Sequence, residues 1–478
     1  MKLPSVVSPS DRPKSRAWFV WFVLAEVLCL GGFVLGLVFR RPSLAAAALL
    51  LPLHLALVVV LFRSDYHLLA FFSALFPLSG LELLPHVYRE FGLFLGVLGL
   101  LAIVMLTDSV TTRNRRSRRT DRTVATLLVV IVLTAVVADA VAVLRGSGIR
   151  VSHTLVLIVV LLAVWVYATV PESIRHVRRL AYLLVGVYAL SFVFLPLLLR
   201  STGYFVTTKV FTSLFGRPNF NLVGMIAAAC CGILLGMVLD AKGWKRAALL
   251  AASVVVLAVV LYSRSRGAWF GFAICFLYIL VRARSLKLLL VAAAVVAVLL
   301  SLDVFRFAFQ VRAEQTSAGD PALLGRFVLW RTAWNAFRSN WLIGIGVENF
   351  RYLKTDFGFP TLTMLEPKFR HGTHNLFIEQ FVGLGAVGGM AFLVLPLIAV
   401  ARLNRLANRT ARGSPRGLLL GLSAGVIAYG SHCLLDSPSW NTSTFVLWGV
   451  LLGLAFAAVR VVERAQVRMH SATTGSRP

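Results

Sequence analysis

The chain has 478 residues, 59% of them hydrophobic, and carries a formal net charge of +29. Its mean hydropathy of +0.84 exceeds what a soluble globular domain can bury and fits a polytopic membrane protein. The basic residues stand in short clusters between apolar runs, the pattern of topology signals, so the charge belongs at a bilayer surface and no nucleic-acid partner is implied.

Residues 1–17 form a polar, basic N-terminus that runs directly into an apolar stretch of spanning length, which reads as an uncleaved first span on the cytoplasmic side. Fourteen apolar segments follow in order: 18–39, 44–62, 67–85, 92–107, 124–144, 154–170, 180–199, 221–239, 247–263, 268–281, 288–302, 374–400, 417–435 and 443–459. Each can cross roughly 30 Å of hydrocarbon as a helix, the shortest with snorkelling ends. The expected fold is therefore an all-α polytopic membrane protein with about 12–14 spans and one long helical loop. Its regions are an N-terminal bundle (18–209), a second group of spans (210–302), the loop (303–373), the last spans (374–459) and a tail (460–478).

Loop charges orient the bundle. With the N-terminus inside, the cytoplasmic loops and ends hold 29 Lys and Arg, the short exterior loops 10 and the long loop nine. Long loops cross largely regardless of charge, so the bias favours cytoplasmic termini and an outward-facing 303–373 loop in a cytoplasmic (inner) membrane protein.

Five cysteines (Cys29, Cys230, Cys231, Cys275 and Cys433) lie in apolar segments without metal-ligand spacing and read as small packing residues. Glu26 and Asp139 sit inside spans. No chain of acids accompanies them, so they read as bundle-facing contacts and not a proton path.

Polar chemistry is concentrated on the exterior side. Ser263-Arg264-Ser265-Arg266-Gly267 sets two arginines in a tight turn at the hydrocarbon boundary, where they either snorkel or meet an anion. Leu323 to Trp341 carries Leu324, Phe327, Trp330, Trp334 and Phe337 at helical spacing, an amphipathic helix suited to the membrane interface. It would serve as a cap, or as a lid bringing Arg326 and Arg331 over an outward cavity. His371 and His374 flank the mouth of the next helix. Histidine acts as a general base near neutral pH, whereas Asn375 is by type a good N-cap. His432 and Asp436, four apart, read as an ion pair on one helix face. The loop acids Asp303, Glu314, Asp320, Glu348, Asp356 and Glu366 are scattered. Asp-x-Asp, His-Glu-x-x-His, Walker A and dinucleotide motifs are missing, so no metal or cofactor is expected and arginine must neutralise any diphosphate.

Taken together, Ser263 to Trp269, Arg326 with Trp330, Gly344-Ile345-Gly346 with Asn349-Phe350, and His374-Asn375 with Gly385 and Gly388 resemble the bacterial O-antigen ligase/polymerase superfamily. Gly216-Arg217-Pro218-Asn219-Phe220 resembles that family's Asn-Pro-Asn-like segment, with Arg217 where Asn is common. The resemblance covers roughly residues 210–400. It implies a GT-C-like glycosyltransferase architecture and metal-free transfer of a glycan from an undecaprenyl-diphosphate carrier to a lipid or glycan acceptor. By position, Arg266 and Arg326 would bind the diphosphate with Arg264 assisting, and His374 would act as base or orient the acceptor. Arg331, Arg217, His371 and Asn375 would complete substrate binding. The His-Asn-x9-Gly-x2-Gly spacing matches the ligase pattern, and a span count of 14 exceeds the 12 typical of ligases, so polymerase stays open. A flippase or other transporter is the reading from another class. It would call for an inverted repeat and polar groups at mid-depth, and neither is evident.

Overall fold

The computed structural model describes residues 121–145, 151–201, 220–283, 290, 294, 301, 321–360, 372–410, 415–440 and 442–474. The spans expected at 18–39, 44–62, 67–85 and 92–107 lie outside these residues, and that at 288–302 is described only at Leu290, Ala294 and Ser301, all helical. Among the described residues every regular element is helical, and no strand occurs.

The long helices are α1 (Arg122–Leu144), α2 (Val151–Thr169), α3 (Ile174–Ser201), α4 (Phe220–Asp240), α5 (Gly243–Tyr262), α6 (Arg266–Ala283), α7 (Pro321–Ser339), α8 (Leu376–Arg409), α9 (Arg416–Cys433) and α10 (Thr442–Thr474). Among the described residues six are long and apolar enough to cross a bilayer: α1, α5, α6, α8, Asn221–Asp240 of α4 and Thr444–Arg468 of α10. The protein is thus a multi-pass membrane protein. Two helices outrun their apolar runs. α8 continues beyond 400 to Arg409 and α10 beyond 459 to Thr474, because hydropathy marks only the part of a helix that lies in lipid.

Lipid offers no hydrophobic drive for one apolar helix to prefer another, so close backbone approach through small residues does that work. Gly232 and Gly236 of α4 face Gly417, Gly421 and Gly425 of α9. A Cβ on Gly236 would stand 2.2 Å from the backbone of Gly421. Gly449 and Gly453 of α10 press in the same way on α2, where a Cβ on Gly449 would lie 2.3 Å from Val160 O. Gly271 brings α6 against Ala428 of α9. Cys230, Cys231, Cys275 and Cys433 are buried free thiols within this packing.

Candidate functional site

The site begins where α8 does. Asn375 is its N-cap, with extended backbone, and Oδ1 accepts from Ile378 N at 3.0 Å while Nδ2 donates to Leu434 O at 2.9 Å. Its carboxamide is therefore engaged on both sides in holding the helix start, as the N-cap reading of its residue type anticipates. Glu379, one turn in, reaches back to accept from Thr373 N at 2.7 Å and Thr373 Oγ1 at 2.9 Å. Thr373 O in turn receives Trp330 Nε1 from α7 at 2.9 Å. The peptide carrying His374 is pinned from both sides.

The two motif glycines now have physical reasons. Gly385 breaks α8 with φ 70° and ψ −173°, a backbone region open to glycine. The break frees polar groups of the main chain, and the Trp341–Gly346 segment takes them up. Ile345 N donates to Val382 O and Gly346 N to Gly383 O, both at 3.0 Å, and Ala386 N donates to Trp341 O at 2.7 Å. A Cβ on Gly385 would lie 2.3 Å from Leu342 O, and one on Gly388 2.3 Å from Thr134 Oγ1 of α1.

α7 is amphipathic, as its sequence predicts, but the aromatic stripe does not mark the buried face. Leu329, Ala333 and Ala336 are buried with Ile345, Phe350, Phe359 and Val382, whereas Phe327 and Trp334 are more than half exposed. Small residues let α7 lie close on the loop, which leaves Phe327 and Trp334 outward, where interfacial rings belong, while Phe337 packs against the cluster and Trp330 is held by Thr373 O. Arg326 lies half-buried at the edge of the packed face, and Arg331 is exposed.

His374 adopts φ 52°, a strained backbone for a non-glycine residue. Its Nδ1 stands 3.0 Å from Asp436 Oδ1. Burial opposes ionisation of Asp436, but the hydrogen bond and charge of His374 and the Ser437 N–H, which donates at 2.9 Å, outweigh it and hold the carboxyl below its ordinary value. An ionised carboxylate only accepts, so Nδ1 carries the proton of this hydrogen bond. The expected His432–Asp436 pair does not form. Asp436 N still donates to His432 O at 3.1 Å, but the carboxyl is taken by His374 Nδ1 and Ser437 N, and among the described residues His432 Nδ1 and Nε2 and Asp436 Oδ2 have no hydrogen-bond partner.

His432 instead joins the arginine elements. A Cβ on Gly267 would stand 2.9 Å from its ring, and the charge of Arg326 acts on it electrostatically. The Ser263–Gly267 turn is as tight as predicted, and its serines serve the fold. Ser263 and Ser265 are buried, and Ser265 Oγ caps α6 by accepting from Ala268 N at 3.2 Å. Gly267 has no open face either, because His432 fills the space beside it. The half-buried pair Arg264 and Arg266 remains, with Arg264 at φ 52°. Arg266 occupies the first turn of α6, where the helix dipole is positive and a cation costs about 0.3–1 kcal/mol. That placement is unfavourable for the fold and favourable for an anion.

Arg217 and His371 lie outside the described residues. Asp139 matches the expectation of a structural contact: it accepts from Val347 N at 3.1 Å and from Thr154 Oγ1. Four acidic or basic residues have contacts that the sequence did not indicate. Asp436 serves His374, and Glu379 anchors Thr373. Glu348, counted among scattered acids, is buried, pairs with His153 Nδ1 at 3.1 Å and is pushed up by that burial. Lys354 is fully buried and burial lowers it to about 8, with Glu379 opposing. Glu348, Arg351, Gly372, His374, Glu379, Ser437 and Ser439 line a cavity of about 10 Å³ behind the histidine, room for one water. Among the described residues no cluster of three or more His, Cys, Asp or Glu could hold a metal.

This polar constellation lies at the end of a bundle of membrane helices, and the comparison with known families bears on it. Residues 251–393 match the family described as O-antigen ligase, so this stretch of the chain is similar to that family of membrane glycan-transfer enzymes. The match runs from α5 through the arginine turn, α7 and His374 to Gly388, and stops short of Asp436. No curated protein matches the chain.

Proposed function

We propose that this protein transfers a glycan from an undecaprenyl-diphosphate carrier to an acceptor hydroxyl on the outer face of the cytoplasmic membrane, as a ligase of cell-surface polysaccharide biosynthesis and without a metal. The observation that carries the reading is the His374–Asp436 pair beside a turn and a helix that bear Arg264, Arg266 and Arg326.

The chemistry follows from these groups. The acceptor oxygen attacks the anomeric carbon, the bond from that carbon to the diphosphate oxygen breaks, and the acceptor proton passes to His374 Nε2. Asp436 fixes the tautomer and stabilises the imidazolium that forms. Arg264, Arg266 and Arg326 receive the charge that develops on the departing diphosphate. Removing one such preorganised donor costs on the order of 10²–10³ in rate, and a positioned base contributes on the order of 10²–10⁴. A single in-line displacement inverts the anomeric centre.

The test is transfer in membranes reconstituted with undecaprenyl-diphosphate glycan, with EDTA present. Products are sized by mass spectrometry and their linkage read by NMR. Glycan leaving the carrier for a separate acceptor supports the ligase. Lengthening on the carrier supports the polymerase alternative. Retention of configuration, or dependence on added metal, would refute the mechanism.

A further inference from the structure

Glu348 is unfavourable to the fold in three ways. Its backbone stands at φ 55°, a region that non-glycine residues rarely adopt. Its carboxylate is buried, which is costly for a charge. It also shares a cavity wall with a second buried acid, Glu379, and like charges oppose each other. The neighbouring main chain holds it there. Gly346 N donates to Gly383 O at 3.0 Å, Val347 N to Asp139 Oδ1 at 3.1 Å, and Asn349 Nδ2 to Ile345 O at 2.9 Å. A strained residue persists where its surroundings over-determine it, and an apolar side chain would serve the packing as well or better.

The carboxylate is the far end of a line of hydrogen bonds that reaches His374. Its Oε2 meets His153 Nδ1 of α2 at 3.1 Å, and the Ser439 hydroxyl donates to it. Ser439 Oγ stands 2.8 Å from Ser437 Oγ. Ser437 N donates at 2.9 Å to Asp436 Oδ1, the same oxygen that holds His374 Nδ1 at 3.0 Å. Glu348 and His374 also line one cavity of about 10 Å³, so about one water separates them. The other ionisable groups at this place are Arg351, whose charge acts on Glu348, and Glu379 across the cavity, on which buried Lys354 acts.

We infer that Glu348 is a positioning residue for glycan transfer: through Ser439 and Ser437 it sets the carboxyl of Asp436, and its charge across the cavity favours the protonated ring of His374. This rests on His374 as the base of the proposed reaction. When the acceptor proton arrives on Nε2 the ring becomes cationic, and a carboxylate about one water away strengthens its hold on that proton. A neutral amide at position 348 would keep the shape and lose the field.

The experiment has two readouts, one of which needs no transfer. The full chain in detergent micelles is treated briefly with diethyl pyrocarbonate over a series of pH values, and modification of His374 is located by fragment mass spectrometry. The reagent takes only the neutral ring, so the midpoint reports protonation of His374. In Glu348→Gln the midpoint is expected to fall by about one pH unit or more. In reconstituted membranes the same variant should lose on the order of 10-fold or more in kcat with KM unchanged, and the acid limb of its pH profile should move with the midpoint. Glu348→Asp keeps the charge and should hold the midpoint near that of wild type, a rescue that a purely structural role does not give. Ser439→Ala cuts the hydrogen bond and leaves the charge, so kcat should fall with little change of midpoint; it also serves should Glu348→Gln fold poorly. His374→Ala is run alongside. If it transfers like wild type, the base assignment fails, while the midpoint still decides the coupling. An unmoved midpoint in Glu348→Gln, or a wild-type rate in Glu348→Gln and Ser439→Ala while His374→Ala is inactive, would overturn the inference.

Discussion

His374 and Asp436 are 62 residues apart in sequence, and their side chains meet at 3.0 Å across the gap between the start of α8 and the loop after α9. The contact orients the ring of a histidine at a helix mouth. Its ring is held by a buried carboxylate, its peptide by Trp330 and Glu379, and the following residue by the helix it caps.

The two arginines of α7 are expected to separate. Arg326 is half-buried and its charge reaches His432, whereas Arg331 points outward. Arg326→Ala should reduce glycan transfer on the order of 10²- to 10³-fold, as loss of a preorganised charge does. Arg331→Ala should change it little. Initial rates at saturating donor check both, and equal effects would contradict the assignment.

Asn375 is predicted to act through the fold. Asn375→Ala removes the cap of α8 and the bond to Leu434 O, costing about 1–3 kcal/mol. Asn375→Asp keeps the cap and loses only the donor, so it should unfold at an intermediate temperature. Thermal unfolding in detergent orders the three proteins.

Glycine positions give a sharper contrast. Gly385→Ala places a Cβ 2.3 Å from Leu342 O at φ 70° and should cost more than about 3 kcal/mol. Gly186 of α3 has nothing within 4 Å of its would-be Cβ, so Gly186→Ala should be neutral or stabilise by about 0.5–1 kcal/mol. Unfolding temperatures of the pair measure the difference.

Buried Lys354 predicts a pH effect. Its folded value of about 8 lies below the ordinary 10.5, so the unfolded chain binds more protons between those values. Stability should therefore rise with pH from about 8 towards 10.5. Lys354→Met should flatten that rise, which unfolding temperatures measured across this range would show. A slope unchanged in the variant would locate the effect elsewhere.

Much of this was legible in the sequence because it is local. The N-cap at Asn375, the amphipathic pattern of α7 and the turn at Ser263–Gly267 each depend on neighbours a few residues apart. The Gly385 break showed only as a motif spacing, since its cause is a segment 40 residues upstream docking on it. Asp436 reads as the partner of His432 because an i, i+4 pair on an apolar run suggests one helix face, whereas its carboxyl meets His374, 62 residues away in sequence. Glu348 looked scattered because its partner His153 lies on α2, nearly 200 residues away. Non-local partners leave no spacing to read.

The most direct test of the central claim is a double-mutant cycle on His374 and Asp436, read as the transfer rate from undecaprenyl-diphosphate glycan. Unfolding temperature is recorded for each variant. If the two residues form one base, His374→Ala, Asp436→Asn and the double variant each lose on the order of 10²-fold or more, and the double loses no more than His374→Ala alone. Losses that multiply, or an Asp436→Asn enzyme with wild-type rate, would contradict the account.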